Sequence, residues 1–341
     1  MSATLRFSRR SFLILSASAL AACQAEDEVL RLSGATMGTT YNVIALSSGN
    51  SVDKATLKAA IEAALAEVDT QMSNWNAASE ISRVNAAAAD QTMALSPALA
   101  RVMQNAEMVH TASDGRFDVT VGPLIDLWGF GSGAEVPHIP ADAEIEAALA
   151  ISGQPRVLTL VDGSLRKSVD NAEIYLPAIG KGYGVDRVAE ALRALDLKDF
   201  MVEIGGDLYA SGRNPNGTPW QIGIESPVAS ERSLDSVATV TGMGMATSGD
   251  YRNFFEVDGK RYSHIIDPTT GRPILHDTVS ATVLTENAML ADAWSTAMLV
   301  LGRERGMEIA EAEGLAVMFI DDVAGQGLTT TASSSYTALQ A

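Results

Sequence analysis

Strand patterns that follow one another with no helix between them restrict the possible folds of this chain most. They are predicted at 200–211, 220–225, 236–242, 252–257 and 278–284. Helices are predicted outside this block, at 52–72, 96–113, 182–195, 286–301 and 303–313, where apolar residues recur at helical spacing. A doubly wound sheet needs strands and helices in alternation, so this segregation favours an α+β fold with mixed or antiparallel sheets. No repeat or linker divides the 341 residues, and we expect a single domain.

The first 22 residues have the pattern of an export signal. Arg9 and Arg10 form a twin-arginine pair, and a short apolar run leads to the only cysteine, Cys23. The sequence "LAAC" is typical of lipoprotein processing, which would leave Cys23 lipid-modified at the start of the mature chain. We therefore expect a signal peptide at 1–22, a linker at 23–28 and a folded domain at 29–341, anchored on the periplasmic side of the bacterial inner membrane. The alternative is an ordinary signal peptide with an incidental cysteine.

The mature chain is strongly acidic. The full sequence has 24 Lys/Arg and 42 Asp/Glu, and three of the basic residues lie in the signal, which leaves a net charge of 21 − 42 = −21. This charge argues against nucleic-acid binding, which needs a basic surface. An anionic ligand would need a local cation, a lysine or a helix N-terminus.

Asp292 and Thr296 are four residues apart in the predicted helix at 286–301, so both lie on one face. A carboxylate and a hydroxyl are hard oxygen donors that suit Mg²⁺. The alternative is a buried threonine and an aspartate that favours the helix dipole.

Two glycine-rich segments resemble places where a ligand approaches the backbone. Gly180-Lys181-Gly182 is predicted to form a turn between a strand and a helix. Such a turn could bind a phosphate group, although the segment has no Walker sequence. A plain strand-to-helix turn is the alternative. Gly205-Gly206 interrupts a pair of strands and indicates either a ligand-facing bulge or a two-glycine hairpin turn.

His264 and several aromatic residues are the remaining candidates for chemistry. His264 is one of four histidines and is predicted at a strand; its neutral ring could act as a general base near pH 7, although a structural role is the alternative. Trp75 follows a predicted helix in a polar loop, and Phe117 and Trp128 flank an apolar segment. Such rings stack on a flat ligand or fill the core.

Seven segments in order together resemble the ApbE-type FAD:protein FMN transferases across residues 34–302. They are "GATMGTTY", "MSNWNAASEISRVN", "GRFDVTVGPLIDLWGFG", "AIGKGYGVDRV", "EIGGDLYASG", "TSGDYRNFFEVDGKRYSHIIDPTTGRP" and "ADAWSTAM". The resemblance implies a T-fold-like α+β domain at 29–341. It also implies Mg²⁺-dependent transfer of FMN from FAD to a Thr or Ser hydroxyl of an acceptor redox protein, with release of AMP.

The resemblance also implies roles for individual residues. Asp292, Thr296 and the backbone carbonyl of Ala178 match the family's metal ligands, and His264 is the candidate base. The flavin contacts carry over to Met37, Trp75, Arg116, Phe117, Asp118, Tyr175, Lys181, His264 and Ile265. The chain departs from the family at Tyr175, where aspartate is frequent, and at Pro177, where a small hydroxyl residue is common.

Two other functions fit the same residues. One is a lipoprotein that carries FAD without catalysis, and the other is a Mg²⁺-dependent pyrophosphatase that hydrolyses FAD to FMN and AMP. An intact base and metal site favours the transferase over the carrier.

Overall fold

The computed structural model describes residues 28–47, 52–131, 137–227 and 233–341, so Cys23 and the predicted signal lie outside the described residues. The helices in this part are α1 Lys54–Met72, α2 Glu80–Ala86, α3 Pro97–Ala112, α4 Gly122–Leu127, α5 Asp142–Ala150, α6 Gln154–Val157, α7 Pro177–Ala194, α8 Ala288–Glu313 and α9 Ser334–Gln340. The strands are β1 Glu28–Thr36, β2 Thr39–Ser47, β3 Thr92–Ala94, β4 Leu158–Val161, β5 Ser164–Lys167, β6 Asp199–Ile204, β7 Asp207–Ser211, β8 Trp220–Glu225, β9 Leu234–Val240, β10 Met243–Gly249, β11 Phe254–Val257, β12 Lys260–Ser263, β13 Ile266–Asp267, β14 Arg272–Pro273, β15 Thr278–Thr285, β16 Ala316–Val323 and β17 Gly327–Ala332.

One eight-stranded antiparallel sheet organises the described part of the chain. Its strand order is β1-β2-β6-β7-β10-β15-β16-β17. The register is set by pairs such as Tyr41 with Ile204 and Ala246 with Val283. The smaller sheets, β3-β5-β4, β8-β9, β11-β12 and β13-β14, are antiparallel too. The prediction of an α+β fold with antiparallel sheets is confirmed.

Different elements pack on the two faces of the main sheet. On one face, α1 and α7 pack on β2 and β6 through a cluster that includes Leu57, Val188, Val43 and Phe200. The same helical layer continues through α3 and α8. On the other face, the β8–β9 hairpin and α9 pack on β10 and β16. Burying these apolar side chains contributes most of the stability of the fold.

Several predicted elements form close to their expected limits. The helix predicted at 96–113 is α3, where Ser96 accepts a hydrogen bond from the Leu99 amide (3.2 Å) and Pro97 occupies the first turn. The helices predicted at 286–301 and 303–313 both form within α8, where the non-helical backbone of Gly302 (φ +72°) makes a kink that separates them. None of the helices in the described residues is both long and apolar enough to cross a membrane.

Three local predictions were wrong. No strand precedes Gly180; the residues from Pro177 onward are helical, so α7 begins five residues before the predicted start at Gly182. The prediction missed β10, which occupies the middle of the main sheet, because glycine and hydroxyl residues make up much of Met243–Gly249. His264 lies between β12 and β13 rather than on a strand.

Candidate active site

A cavity of about 520 Å³ brings most of the predicted site residues together. It opens beside the main sheet, where α7 and α8 meet β10 and the segment that follows β12. The predicted residues that line it are Arg116, Phe117, Asp118, Tyr175, Ala178, Lys181, His264, Ile265, Asp292 and Thr296. These residues come from distant parts of the sequence, so the tertiary fold creates the site.

The packing of α7 against α8 places the charged residues. A Cβ atom on Gly182 would overlap the carbonyl oxygen of Ala288 and lie 2.8 Å from the Asp292 Cβ, so only glycine allows this approach. The buried Asp186 carboxylate accepts hydrogen bonds from the Ala288 and Met289 amides at the start of α8 (2.8 and 2.9 Å). Gly182 therefore serves helix packing, which corrects the interpretation of this segment as a turn.

Lys181 joins two buried carboxylates on the cavity wall. Its Nζ lies 2.5 Å from Asp207 Oδ2 and 3.2 Å from Asp292 Oδ1. Burial and the neighbouring Asp292 raise the pKa of Asp207 to about 7, and burial also raises the pKa of Asp292. Burial opposes the charge on Lys181, but the two carboxylates more than offset this and raise its pKa, so the ammonium stays protonated.

The oxygen atoms around Lys181 fit a hard divalent cation. Asp292 and Thr296 both face the cavity one helical turn apart, as their spacing predicted. The Thr296 hydroxyl lies 3.1 Å from the Ser248 hydroxyl, and Ala178 lines the same wall in the first turn of α7. The described residues contain no cluster of three His, Cys, Asp or Glu side chains suited to a metal. A cation here would therefore use mixed carboxylate, hydroxyl and carbonyl donors, the set that Mg²⁺ prefers.

His264 has the tautomer that a general base needs. Its Nδ1 lies 3.1 Å from the Asn253 carbonyl oxygen, which also accepts the His264 backbone amide (3.0 Å). A carbonyl only accepts, so Nδ1 carries the proton in the neutral ring and Nε2 keeps its lone pair. Burial lowers the pKa of His264, and the nearby Lys181 charge lowers it further, so the ring is neutral at pH 7.

Arg116 connects two of the predicted segments. Its guanidinium forms an ion pair with Asp267, whose other carboxylate oxygen accepts from the Thr269 amide (2.8 Å). The "GRFD" segment is thereby attached to the turn that follows His264. The Arg116 Nε is buried without a hydrogen-bond partner in the described structure.

Phe117 and Asp118 line the cavity, and both also make contacts that hold the surrounding structure. Phe117 is 2% exposed and belongs to the main core. The Asp118 carboxylate accepts hydrogen bonds from the Thr120 and Gln154 amides, both at 2.7 Å. Their flavin contacts stay a prediction.

The remaining flavin candidates differ in position. Trp75 is 55% exposed, and its ring meets that of Tyr175 edge-on at 6.1 Å, which puts it at the rim of the cavity. Burial raises the pKa of Tyr175, as do the nearby Asp126 and Glu173. Met37 occupies the β1–β2 turn with φ +48° and packs on Gly184. It is not among the residues that line this cavity in the described chain.

Sequence reasoning missed two carboxylates that shape the site: Asp207 and Asp186. Asp207 directly follows Gly205-Gly206, which is a hairpin turn with both φ angles positive, as one of the two alternatives held. The sequence did contain a signal for Asp207: it is a lone aspartate in an apolar strand. Burying such a carboxylate without a partner is costly, so a partner could have been expected.

Comparison with known proteins identifies the family. The ApbE family model matches residues 37–319. A Vibrio cholerae protein named FAD:protein FMN transferase is 43% identical over 332 residues, which cover 96% of this chain and 98% of that protein. A Haemophilus influenzae protein of the same name is 40% identical and covers 94% of each chain.

Two solved structures support the same relationship. The flavin transferase ApbE from Vibrio cholerae superposes with a TM-score of 0.86 at 42% identity, over 92% of this chain and 99% of that one. The apo flavinyl transferase ApbE from Pseudomonas stutzeri gives 0.85 at 38% identity, over 92% and 97%. Fold and sequence agree over most of the chain, and this protein belongs to the ApbE family.

Proposed function

We propose that this chain transfers the FMN part of FAD to a threonine or serine hydroxyl of an acceptor redox protein and releases AMP. The relatives named FAD:protein FMN transferase support this activity, because they match nearly the whole chain at up to 43% identity. The observation that carries the proposal is the convergence of Lys181, Asp292 and His264 on one cavity. Phosphoryl transfer needs positive charge near the phosphates and a group that accepts the hydroxyl proton.

Mg²⁺ would be held by the Asp292 carboxylate, the Thr296 hydroxyl and the Ala178 backbone carbonyl. Bound there, it would neutralise charge on the diphosphate as the leaving group departs. Lys181 already lies where the Asp207 and Asp292 carboxylates meet, so the chain favours positive charge at this point. With both carboxylates ionised, Lys181, Asp207 and Asp292 carry a net charge of +1 − 2 = −1, so a bound Mg²⁺ would make this part of the cavity positive and suited to an anionic substrate.

His264 would take the proton from the acceptor hydroxyl on its Nε2. As that proton moves, the hydroxyl oxygen bonds to the FMN phosphorus. The bond from this phosphorus to the bridging oxygen breaks, and AMP leaves with that oxygen. The Asn253 carbonyl accepts from Nδ1–H, so the lone pair on Nε2 is available to take this proton, and the Nδ1–H bond is kept in the imidazolium that forms.

The flavin part of FAD would lie across the wall and rim of the cavity. Trp75 and Tyr175 offer ring faces for stacking, and Arg116 adds a cation whose Nε has no hydrogen-bond partner among the described residues. The other proposed contacts are Met37, Phe117, Asp118, Lys181, His264 and Ile265.

We propose that the mature protein is a lipoprotein anchored through Cys23 on the periplasmic side of the bacterial inner membrane after twin-arginine export. The motif "SRRSFL" and the position of Cys23 after "LAA" support this. Mass spectrometry of the membrane fraction tests it: a lipid-modified N-terminal Cys23 is expected, and an unmodified mature N-terminus would overturn it.

Mass spectrometry of an acceptor protein tests the reaction. A redox-protein subunit incubated with the chain, FAD and Mg²⁺ should gain the mass of one FMN less one water on a threonine or serine, with one AMP released for each FMN attached. AMP and free FMN without labelled acceptor would favour a pyrophosphatase. Tight FAD binding with neither product would favour a carrier.

A further inference from the structure

The two outer edges of the β8–β9 hairpin are treated differently by the fold. β8 and β9 pair with each other and form a sheet of two strands. On the outer edge of β9, the backbone groups of Thr239 are capped by the side chain of Gln340 from α9. The Thr239 amide donates to Gln340 Oε1 (2.7 Å), and Gln340 Nε2 donates to the Thr239 carbonyl (3.2 Å). At this one residue, the side-chain amide takes the place of a neighbouring strand.

The bonds to Gln340 also show which groups on β8 point outward. Because the N–H and C=O of Thr239 point away from β8, its pair with Gln221 is a non-hydrogen-bonded pair. Pairs alternate along an antiparallel ladder, so Gly223, opposite Val237, is also non-hydrogen-bonded. The N–H and C=O of Gln221 and Gly223 therefore point away from β9. Within the described residues, no hydrogen-bond partner meets these backbone groups.

This open edge borders the reactive cavity. Ile222, Gly223 and Glu225 line the same cavity as Lys181 and Asp292. Gly223 is exposed, so its outward backbone groups can be reached by another chain. Unpaired edges are usually covered, because they attract other strands. Among the described residues, β9 has such a cap at Thr239, whereas the edge of β8 beside the reactive cavity has none.

We propose that the acceptor protein binds here by adding an extended segment to the edge of β8. The inference rests on the proposed function, because only a polypeptide acceptor needs to bring a hydroxyl into this cavity. In a strand, alternate side chains point the same way, so one threonine or serine can enter the cavity while its neighbours remain outside. Backbone hydrogen bonds to Gln221 and Gly223 would hold the segment, as in other strand-addition complexes.

The matched pair G223P/L234A and G223A/L234A tests the proposal. Proline removes the outward N–H of Gly223, which makes no bond within the hairpin, and proline is tolerated on edge strands. A Cβ on Gly223 would lie 2.6 Å from Leu234 Cδ2, and Leu234 is 67% exposed, so Leu234→Ala relieves this contact at little cost. Both variants carry a Cβ at position 223 and the shortened side chain at position 234. Only G223P/L234A lacks the backbone N–H donor at position 223.

The probe is a purified redox-protein domain that the wild-type chain labels with FMN. We expect G223P/L234A to lose about tenfold or more in kcat/KM for this acceptor, while G223A/L234A stays within about threefold of wild type. The FAD dissociation constant should change little in either variant. Equal kcat/KM values for the two variants would overturn the proposal. Failure of the wild type to label any acceptor would instead overturn the proposed function.

Hydrogen exchange on the wild type gives a second test that does not depend on the folding of a variant. The Gln221 and Gly223 amides should exchange more slowly when the acceptor domain is added, whereas the Ile222 amide, which already bonds to β9, should change much less. Unchanged exchange at Gln221 and Gly223 with saturating acceptor would contradict strand addition.

Discussion

The backbone amide of Gly182 donates a hydrogen bond to Asp292 Oδ2 at 3.0 Å. This bond joins α7 to α8 at the cavity and fixes the carboxylate that we assign to the metal. The same contact explains why a glycine stands next to Lys181, because any side chain at position 182 would meet the backbone of α8.

Gly182→Ala should destabilise the protein by about 1–3 kcal/mol, because the added methyl group forces α7 and α8 apart. Gly180→Ala is the matched control. The nearest atom to its Cβ would be Leu176 Cβ at 3.8 Å, so the helix should gain up to about 1 kcal/mol from the better helix former. Urea unfolding measures both changes. Equal stabilities of the two variants would show that helix packing does not select glycine at 182.

Asp186 should make stability depend on pH. Burial raises its pKa from 3.8 to about 6 despite the two amides that it accepts. Between these values the folded state binds a proton that the unfolded state has lost, so the free energy of unfolding falls as pH rises through about 6. Asp186→Asn should remove this contribution to the pH dependence, a change in the free energy of unfolding on the order of 1–3 kcal/mol between pH 4 and pH 7.

Thermal unfolding of wild type and Asp186→Asn between pH 4 and pH 7 measures this difference. Asp162→Asn is the control, because Asp162 is an exposed acid in a turn with φ +49°, which asparagine accepts. Parallel pH profiles for wild type and Asp186→Asn would contradict the assignment.

His264→Ala should slow FMN transfer by about a hundredfold or more, with a much smaller effect on FAD affinity, because it removes the proton acceptor. In the wild type, protonation of the ring should reduce the rate as pH falls below 6.5, since the pKa of His264 is lowered from that value. His264→Gln should lose this acid limb. A rate for His264→Ala close to that of wild type would exclude histidine from the mechanism.

Trp75→Ala should weaken FAD binding by about three- to tenfold, because the exposed ring offers a stacking surface at the rim. Val161→Ala, at another exposed apolar side chain, should leave the affinity unchanged. Quenching of flavin fluorescence during titration gives both dissociation constants. An unaltered constant for Trp75→Ala would remove it from the flavin site.

Local patterns predicted the elements whose signals lie within a few residues. The serine cap and proline of α3 and the four-residue spacing of Asp292 and Thr296 are examples, because helical geometry alone puts such residues in register. The strand β10 escaped prediction, because its place in the middle of the sheet depends on its pairing with β7 and β15. Tertiary contacts decided that segment.

The sequence could predict most of the residues of the site but not the contacts between them. Asp207 could not be matched with Lys181 from spacing, because the ion pair joins residues on a helix and a strand that pack only in the folded chain. The start of α7 at Pro177 was obscured by three glycines at 180, 182 and 184, which lower helix propensity. Their close contacts with Ala288 and Met37 explain two of them.

The central claim is that a divalent cation at Asp292 and Thr296 makes the diphosphate of FAD cleavable. The most direct test is the rate of FMN transfer to an acceptor protein as a function of Mg²⁺ concentration, for wild type and Asp292→Ala, with Asp162→Asn as control. We predict a rate that rises to saturation with Mg²⁺ and vanishes with a chelator in wild type and control, and a loss of about a hundredfold or more at every Mg²⁺ concentration in Asp292→Ala. Transfer by Asp292→Ala within a few-fold of wild type would contradict the claim.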